Sequence, residues 1–112
     1  MSGTGHAHVP VAEHLLYVDG LLRVTCMVTP GPSLVRLDGD VDVSNRAEAL
    51  AALRRALLID ADLIVDTGGV GFIDVAGLRA LLGFAETGGV VIRNTPSQMR
   101  RLMDVLGLPP LD

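Results

Sequence analysis

Two short, unbroken apolar runs, Leu63-Ile64-Val65 and Val90-Val91-Ile92, constrain this chain more than any other feature. Each is too short for a buried helix, and each is bounded by punctuating residues: Asp62 and Asp66 around the first, Gly88-Gly89 before the second. Runs of this kind suit strands inside a parallel sheet, covered on both faces. Between them Leu78, Leu81, Leu82 and Ala85 recur at helical spacing behind Asp74. That carboxylate can accept from the free N–H groups of a first helical turn and meets the positive end of the helix dipole. Strand, helix and strand in this order make a parallel crossover, which is right-handed.

Upstream, strand-like alternation gives way to helical spacing. Leu22, Val24, Cys26 and Val28 alternate with Arg23, Thr25 and Met27, the pattern of a strand with one covered face. Pro30-Gly31-Pro32 forces a turn, and residues 34–37 resume the extended pattern, which predicts a hairpin. Residues 10–19 suit either a short helix or a strand, ended by Asp19-Gly20. Asn45 and Glu48 have capping-box spacing, and Ala47, Leu50, Leu53 and Leu57 form a stripe with Arg46, Arg54 and Arg55 off it. The first helix is therefore expected over about residues 46–58. Thr67-Gly68-Gly69 is read as the end of the strand begun at Leu63. Thr95-Pro96-Ser97-Gln98 combines an N-cap, a proline at the first helical position and a glutamine two residues after it. Met99, Leu102, Met103 and Leu106 line a third helix, with Gly107 and Leu108 placed to stop it.

The order is two strands, then helix, strand, helix, strand, helix. It predicts an α/β domain: a mixed sheet with parallel βαβ crossovers and helices packed on it. The domain is expected over residues 22–112. Residues 1–21 are read as a partly flexible extension that covers a sheet edge or pairs with another chain. With 112 residues, roughly two-thirds of the unfolded surface can be buried in one core. The lone Cys26 can form no internal disulfide, which fits a reducing compartment.

Charge narrows the function classes. The net charge is −4 and the basic residues, all Arg, are scattered, so nucleic-acid binding lacks its clustered basic footprint. Phe72, Phe84 and Tyr17 are the only aromatic residues, too few for base-stacking platforms. The N-terminus has neither a basic region nor a long apolar run, so a cytoplasmic protein that engages no membrane is expected. His6, His8 and His14 lie in or near a Gly/Ser-flanked start without converging geometry, and neither a metal nor a cofactor is expected.

Catalytic patterns fare poorly. Asp66-Thr67-Gly68 resembles the catalytic triplet of retroviral-type aspartic proteases, which pair two carboxylates across a dimer. Those chains are almost entirely strand, whereas a capped amphipathic helix follows here. Residues 67–71 lack the fingerprint of a phosphate-binding loop, and the chain has no lysine to complete one. All three histidines fall within the first fourteen residues, far in sequence from the best hydroxyls, so no Ser-His-Asp set is indicated. A non-enzymatic role is expected.

What stands out instead is Phe72-Ile73-Asp74-Val75-Ala76-Gly77-Leu78: an apolar anchor, an acidic cap, two small or apolar residues, then a glycine that lets another backbone come close. Together with Leu37-Asp38-Gly39-Asp40-Val41-Asp42, the central run at Leu63, Gly88-Gly89 before a strand and the closing helix with its Gly-Leu end, it resembles the STAS domain. That module occurs in bacterial anti-sigma factor antagonists and in the tails of sulfate transporters. The resemblance spans residues 22–108. It implies a mixed sheet faced by helices and a non-catalytic protein that docks on an anti-sigma factor, a serine kinase of the histidine-kinase-like ATPase type. In that family the helix start reads Asp-Ser-Ser-Gly or Asp-Ser-Thr-Gly, and the second hydroxyl accepts a phosphoryl group. Here those positions are Val75 and Ala76, so the usual site cannot be phosphorylated. Asp42, Asp74, Val75, Ala76 and Arg79 are the expected partner-binding residues, with Thr67 and Ser97 as other hydroxyls. The stretch from Leu78 to Gly88 is about one helical turn shorter than the family's, and the N-terminal extension is longer. The alternative is a STAS scaffold or a module sensing a nucleotide or lipid; a homodimer is compatible with either reading.

Overall fold

Alternation in the first part of the chain becomes three antiparallel strands in the computed structural model, which describes residues 12–109. They are β1 (Ala12–Val18), β2 (Leu22–Val28) and β3 (Ser33–Val41). The ambiguous segment before Asp19 is thus a strand of the main sheet, and the expected boundary at Leu22 gives way to a sheet that already includes residues 12–18; residues 1–11 lie outside the described residues. Asp19 makes the first turn. Its Oδ1 accepts from the amides of Leu21 (2.7 Å) and Leu22 (2.8 Å), and its Oδ2 accepts from the Tyr17 hydroxyl at 2.6 Å. The Tyr17 bond, followed by the amide of Leu21, pulls the Asp19 carboxyl down to about 2, and the same contact holds the Tyr17 hydroxyl up at about 12.

β1 is an edge strand, and its pairing with β2 slips between Leu15 and Tyr17. Arg55 of the first helix donates to the carbonyl of Leu16 at this irregularity. Such a bulge makes an exposed edge a poor template for further strands.

Parallel pairing begins at β3. β4 (Leu63–Ile73) lies beside it and β5 (Val90–Arg93) beside β4, giving one sheet in the order β1-β2-β3-β4-β5. β4 does not end at Thr67-Gly68-Gly69; it runs on to Ile73. The glycines there serve close approach rather than a turn. A Cβ on Gly69 would lie 2.1 Å from Asp38 Oδ1 and 3.0 Å from the Leu37 carbonyl, and the β3–β4 register slips on either side of this stretch. Thr67 is fully buried and donates to the Arg93 carbonyl at 3.1 Å. On β3, Gly39 has φ +120, and a Cβ there would fall 1.9 Å from the Leu21 carbonyl, so a side chain is excluded by both conformation and space.

Three helices complete the domain: α1 (Arg46–Ile59), α2 (Val75–Ala85) and α3 (Ser97–Val105). The two crossovers step across the sheet in the same direction, so their common handedness puts α1 and α2 on one face. Val24, Val35, Val65 and Ile92 are buried beneath that layer. α1 meets the sheet through Ala49, Ala52, Leu53 and Ala56. This corrects the expected stripe: Ala47 is exposed and Leu50 and Leu57 are half-buried, because small side chains take the line of closest approach and the leucines flank it. α2 buries Gly77, Leu78, Leu81 and Phe84, with Leu82 and Ala85 half-buried.

α3 ends as expected. Gly107 has φ +70, its amide donates to Asp104 (3.1 Å), and the Leu108 amide donates to Met103 (2.9 Å), the paired bonds of a Schellman stop. Its start differs. Pro96 is the N-cap, with no side-chain cap bond, and Gln98 donates to the Gly71 carbonyl instead of reaching back. β4 outruns β5, whose last paired residue Arg93 stands opposite Asp66, so Gly71 lies beyond the strand that would otherwise take its carbonyl. Gln98 fills that role.

Candidate functional site

β3 and β4 run parallel and finish side by side, Val41 in register with Ile73. The chain leaves both strands at the carboxyl edge of the sheet and turns directly into helices, so the N-terminal ends of α1 and α2 meet at one corner. Loops at this edge are where open α/β sheets ordinarily meet their ligands. The Asp74 amide donates to the Val41 carbonyl at 3.1 Å and locks the two exits together.

The turn into α1 is built inward. Asn45 is fully buried; its Oδ1 accepts from the Asp42 amide (3.0 Å) and its Nδ2 donates to the Asp40 carbonyl (2.9 Å). Because that side chain ties the turn to β3, it makes no cap bond to α1, and the expected Asn45–Glu48 box does not form. Asp42 Oδ1 accepts from the amide (2.8 Å) and hydroxyl (2.5 Å) of Ser44, while its carbonyl accepts from the Arg46 amide at 2.9 Å.

The turn into α2 is built outward. Asp74 Oδ1 accepts from the Gly77 amide at 2.6 Å, the expected cap. Its Oδ2 faces Arg46 of α1 at 2.9 Å, an ion pair bridging the two helix starts. With the side chains 34% and 27% exposed, water screens the pair, and its effect is mainly to orient both groups. Gly77 is buried and does not admit an outside backbone as expected. A Cβ there would meet Asp74 Oδ1 at 2.9 Å and Val41 Cγ1 at 3.0 Å, so its smallness serves the protein's own corner.

Around the ion pair the surface is apolar and open. Val75 is 40% exposed and Val43 75%, while Phe72, 52% exposed, lies beside Gln98, Met99 and Leu102 of α3. Ala76 and Arg79 are exposed as well, and Arg79, one helical turn beyond, lies on the same side of α2. Asp42, Asp74, Val75 and Ala76 thus share the corner, with Arg79 at its margin. Sequence reasoning missed Arg46 and Val43. The Arg46–Asp74 contact joins distant chain positions with no local signal. Of the other hydroxyls, Thr67 is buried, whereas Ser97 is exposed at the start of α3, next to the Gln98 that bonds Gly71.

The remaining patterns do not assemble chemistry. Asp66 sits within β4 and accepts from the Gly68 amide at 2.8 Å; the strand passes straight through the triplet. Among the described residues no three His, Cys, Asp or Glu side chains converge as a metal centre requires; His14 is exposed on β1, and His6 and His8 lie outside the described residues. Burial pushes the Cys26 thiol up, which leaves it unreactive. A cavity of about 20 Å³ under α1 and α2, lined by Leu37, Ala49, Leu53, Ile73 and Leu81, has room for about one water and offers it no polar group but Arg46 at the rim. No helix among the described residues is long and apolar enough to cross a membrane.

Comparison with known proteins agrees with this architecture. A family model described as "Mlab, STAS domain" matches residues 27–110, and the chain belongs to the STAS family. An anti-sigma factor antagonist from Mycobacterium paratuberculosis superposes with a TM-score of 0.61 at 22% identity, covering 81% of this chain and 88% of that one. An antisigma-factor antagonist STAS domain from Rhodobacter sphaeroides gives a TM-score of 0.53 at 24% identity, covering 69% of this chain and 90% of that one. At these identities the likeness establishes the fold. No curated protein matches the chain.

Proposed function

We propose that this STAS domain is a non-catalytic interaction module of the bacterial cytoplasm that docks on an anti-sigma factor, a serine kinase of the histidine-kinase-like ATPase type. The docking surface is the corner formed by Asp42, Asp74, Val75, Ala76 and Arg79. The observation that carries this reading is the exposure of Val75 and Ala76 on the first turn of α2, beside an ion pair that fixes the helix start. The two solved structures named above are anti-sigma factor antagonists, which supports the same assignment.

Ala76 makes the surface permanently binding-ready. A phosphoryl group there would add about −1.5 to −2 charges beside Asp74 and repel an acidic or apolar partner. With a methyl group in its place, the partner kinase has no switch at this position. Calorimetry with serine-kinase anti-sigma factors of the same genome tests the proposal. Ala76→Glu is expected to weaken binding about tenfold, or roughly 1.4 kcal/mol. Unchanged affinity for every such kinase would move the docking surface elsewhere. Incubation with kinase and ATP is expected to leave the intact mass of the first turn of α2 unaltered.

One observation favours a second reading, a ligand-sensing scaffold. An open trough of about 450 Å³ runs between α1 and α2, walled by Leu50, Leu57, Ala80 and Phe84 with Arg54 at its rim. A lipid or nucleotide retained in native mass spectrometry would support that role.

A further inference from the structure

The face of the sheet opposite α1 and α2 carries the residues that alternate with the core, and parallel strands are ordinarily covered on both faces. Register arranges these residues in two rows. Met27, Leu34, Ile64 and Val91 stand side by side on β2, β3, β4 and β5. Val91 is 48% exposed and the other three are half-buried. Two residues further along β3, β4 and β5, Arg36, Asp66 and Arg93 form the second row together with Thr25 of antiparallel β2, which is buried. Arg36, Asp66 and Arg93 form no ion pair within the described chain, and their charges alternate along the row.

We propose that this face pairs with the same face of a second copy, about a two-fold axis running along the strands between β3 and β4. Such an axis sets β3 over β4 of the second copy and β2 over its β5. Arg36 then meets Asp66, Leu34 meets Ile64 and Met27 meets Val91, each contact made twice, and Thr25 faces Arg93. The two rows oppose no like charges. An axis centred on β3 would set Arg36 against itself, and one centred on β4 would do the same to Asp66. An axis between β2 and β3 would place Leu15, the β1 neighbour of Thr25, against Asp66. An axis between β4 and β5 sets Asp66 against Arg93 but leaves β2 and β3 unopposed. The line between β3 and β4 is therefore the one that engages all four strands without opposing like charges, whereas a purely acidic partner would meet Asp66 and a purely basic one both arginines. Face-to-face sheets pack about 10 Å apart within about 30° of alignment, which suits these side chains. From β2 to β5 the rows span about 14 Å, below the breadth of a standard stable interface, so the pair is of the transient class. The corner at the starts of α1 and α2 stays open in this arrangement, and the pairing does not depend on the docking proposal.

Sedimentation equilibrium of the full chain over a dilution series tests it. A monomer–dimer equilibrium that shifts towards monomer with added salt is expected. Arg36→Glu is expected to weaken pairing at least tenfold, and so is Asp66→Arg; combining the two restores it. Circular dichroism checks that each variant folds, and Val91→Asp, at an exposed position, gives the same result if a charge reversal does not fold. A monomer at every concentration up to the millimolar range overturns the proposal. So does a dimer that survives Arg36→Glu and Val91→Asp.

Discussion

The starts of α1 and α2 stand side by side at one corner, yet they are built in opposite ways. At α1 the capping residue Asn45 is fully buried, and both ends of its amide are engaged by β3 and its turn. At α2 the capping residue Asp74 is partly exposed, holds the helix with one oxygen and takes Arg46 with the other. The first start anchors the corner to the sheet; the second presents a surface. A cap-like residue in a sequence therefore marks a helix boundary without saying which role it plays.

Three variants break or sharpen this contrast, and a fourth, with the smallest effect, probes the turn between β1 and β2. Asn45→Ala should have the largest effect, a loss of about 2–4 kcal/mol of stability, because it strands the Asp40 carbonyl and the Asp42 amide at a buried position. Thermal and urea denaturation read it. Gly77→Ala should cost about 1–3 kcal/mol by forcing a methyl group against Asp74 and Val41, outweighing the roughly 1 kcal/mol that alanine gains in helix propensity. A stabilised Gly77→Ala protein would show that the corner is loosely packed. Asp74→Ala should cost about 1 kcal/mol, the value of a lost cap, with faster hydrogen exchange confined to the first turn of α2.

The smallest effect is pH-dependent. Asp19 ionises near 2 in the folded chain against 3.8 as its ordinary value, so the stability it contributes is fully present above about pH 4 and is lost as pH falls through 2. Asp19→Asn should flatten that part of the acid unfolding curve and leave the neutral range unchanged in slope. A curve that keeps its full acid dependence would place the titrating carboxylate elsewhere.

Much of the fold was legible because periodicity and punctuation report on local geometry. The β2 strand, the Asp74 cap and the Gly107 stop follow the sequence directly. What was not legible depends on contacts between distant segments. β4 continues through its glycines because Asp38 of the neighbouring strand needs the space. Gln98 abandons its helix start because Gly71 lies beyond the end of β5. Three alanines of α1 join Leu53 against the sheet, while Leu50 and Leu57 flank the seam, because backbone approach sets its line. At the candidate site Asp74, Val75 and Ala76 could be picked from pattern and family resemblance, but Arg46 could not. Its partner is chosen by the parallel pairing of β3 and β4, which brings two helix starts together.

Hydrogen–deuterium exchange of the chain with and without a serine-kinase anti-sigma factor tests the central claim most directly. Protection should concentrate in residues 42–46 and 72–79, in the absence of ATP and without any prior phosphorylation. Protection confined to the outer sheet face or to α3, or no protection with any such kinase, would contradict the account.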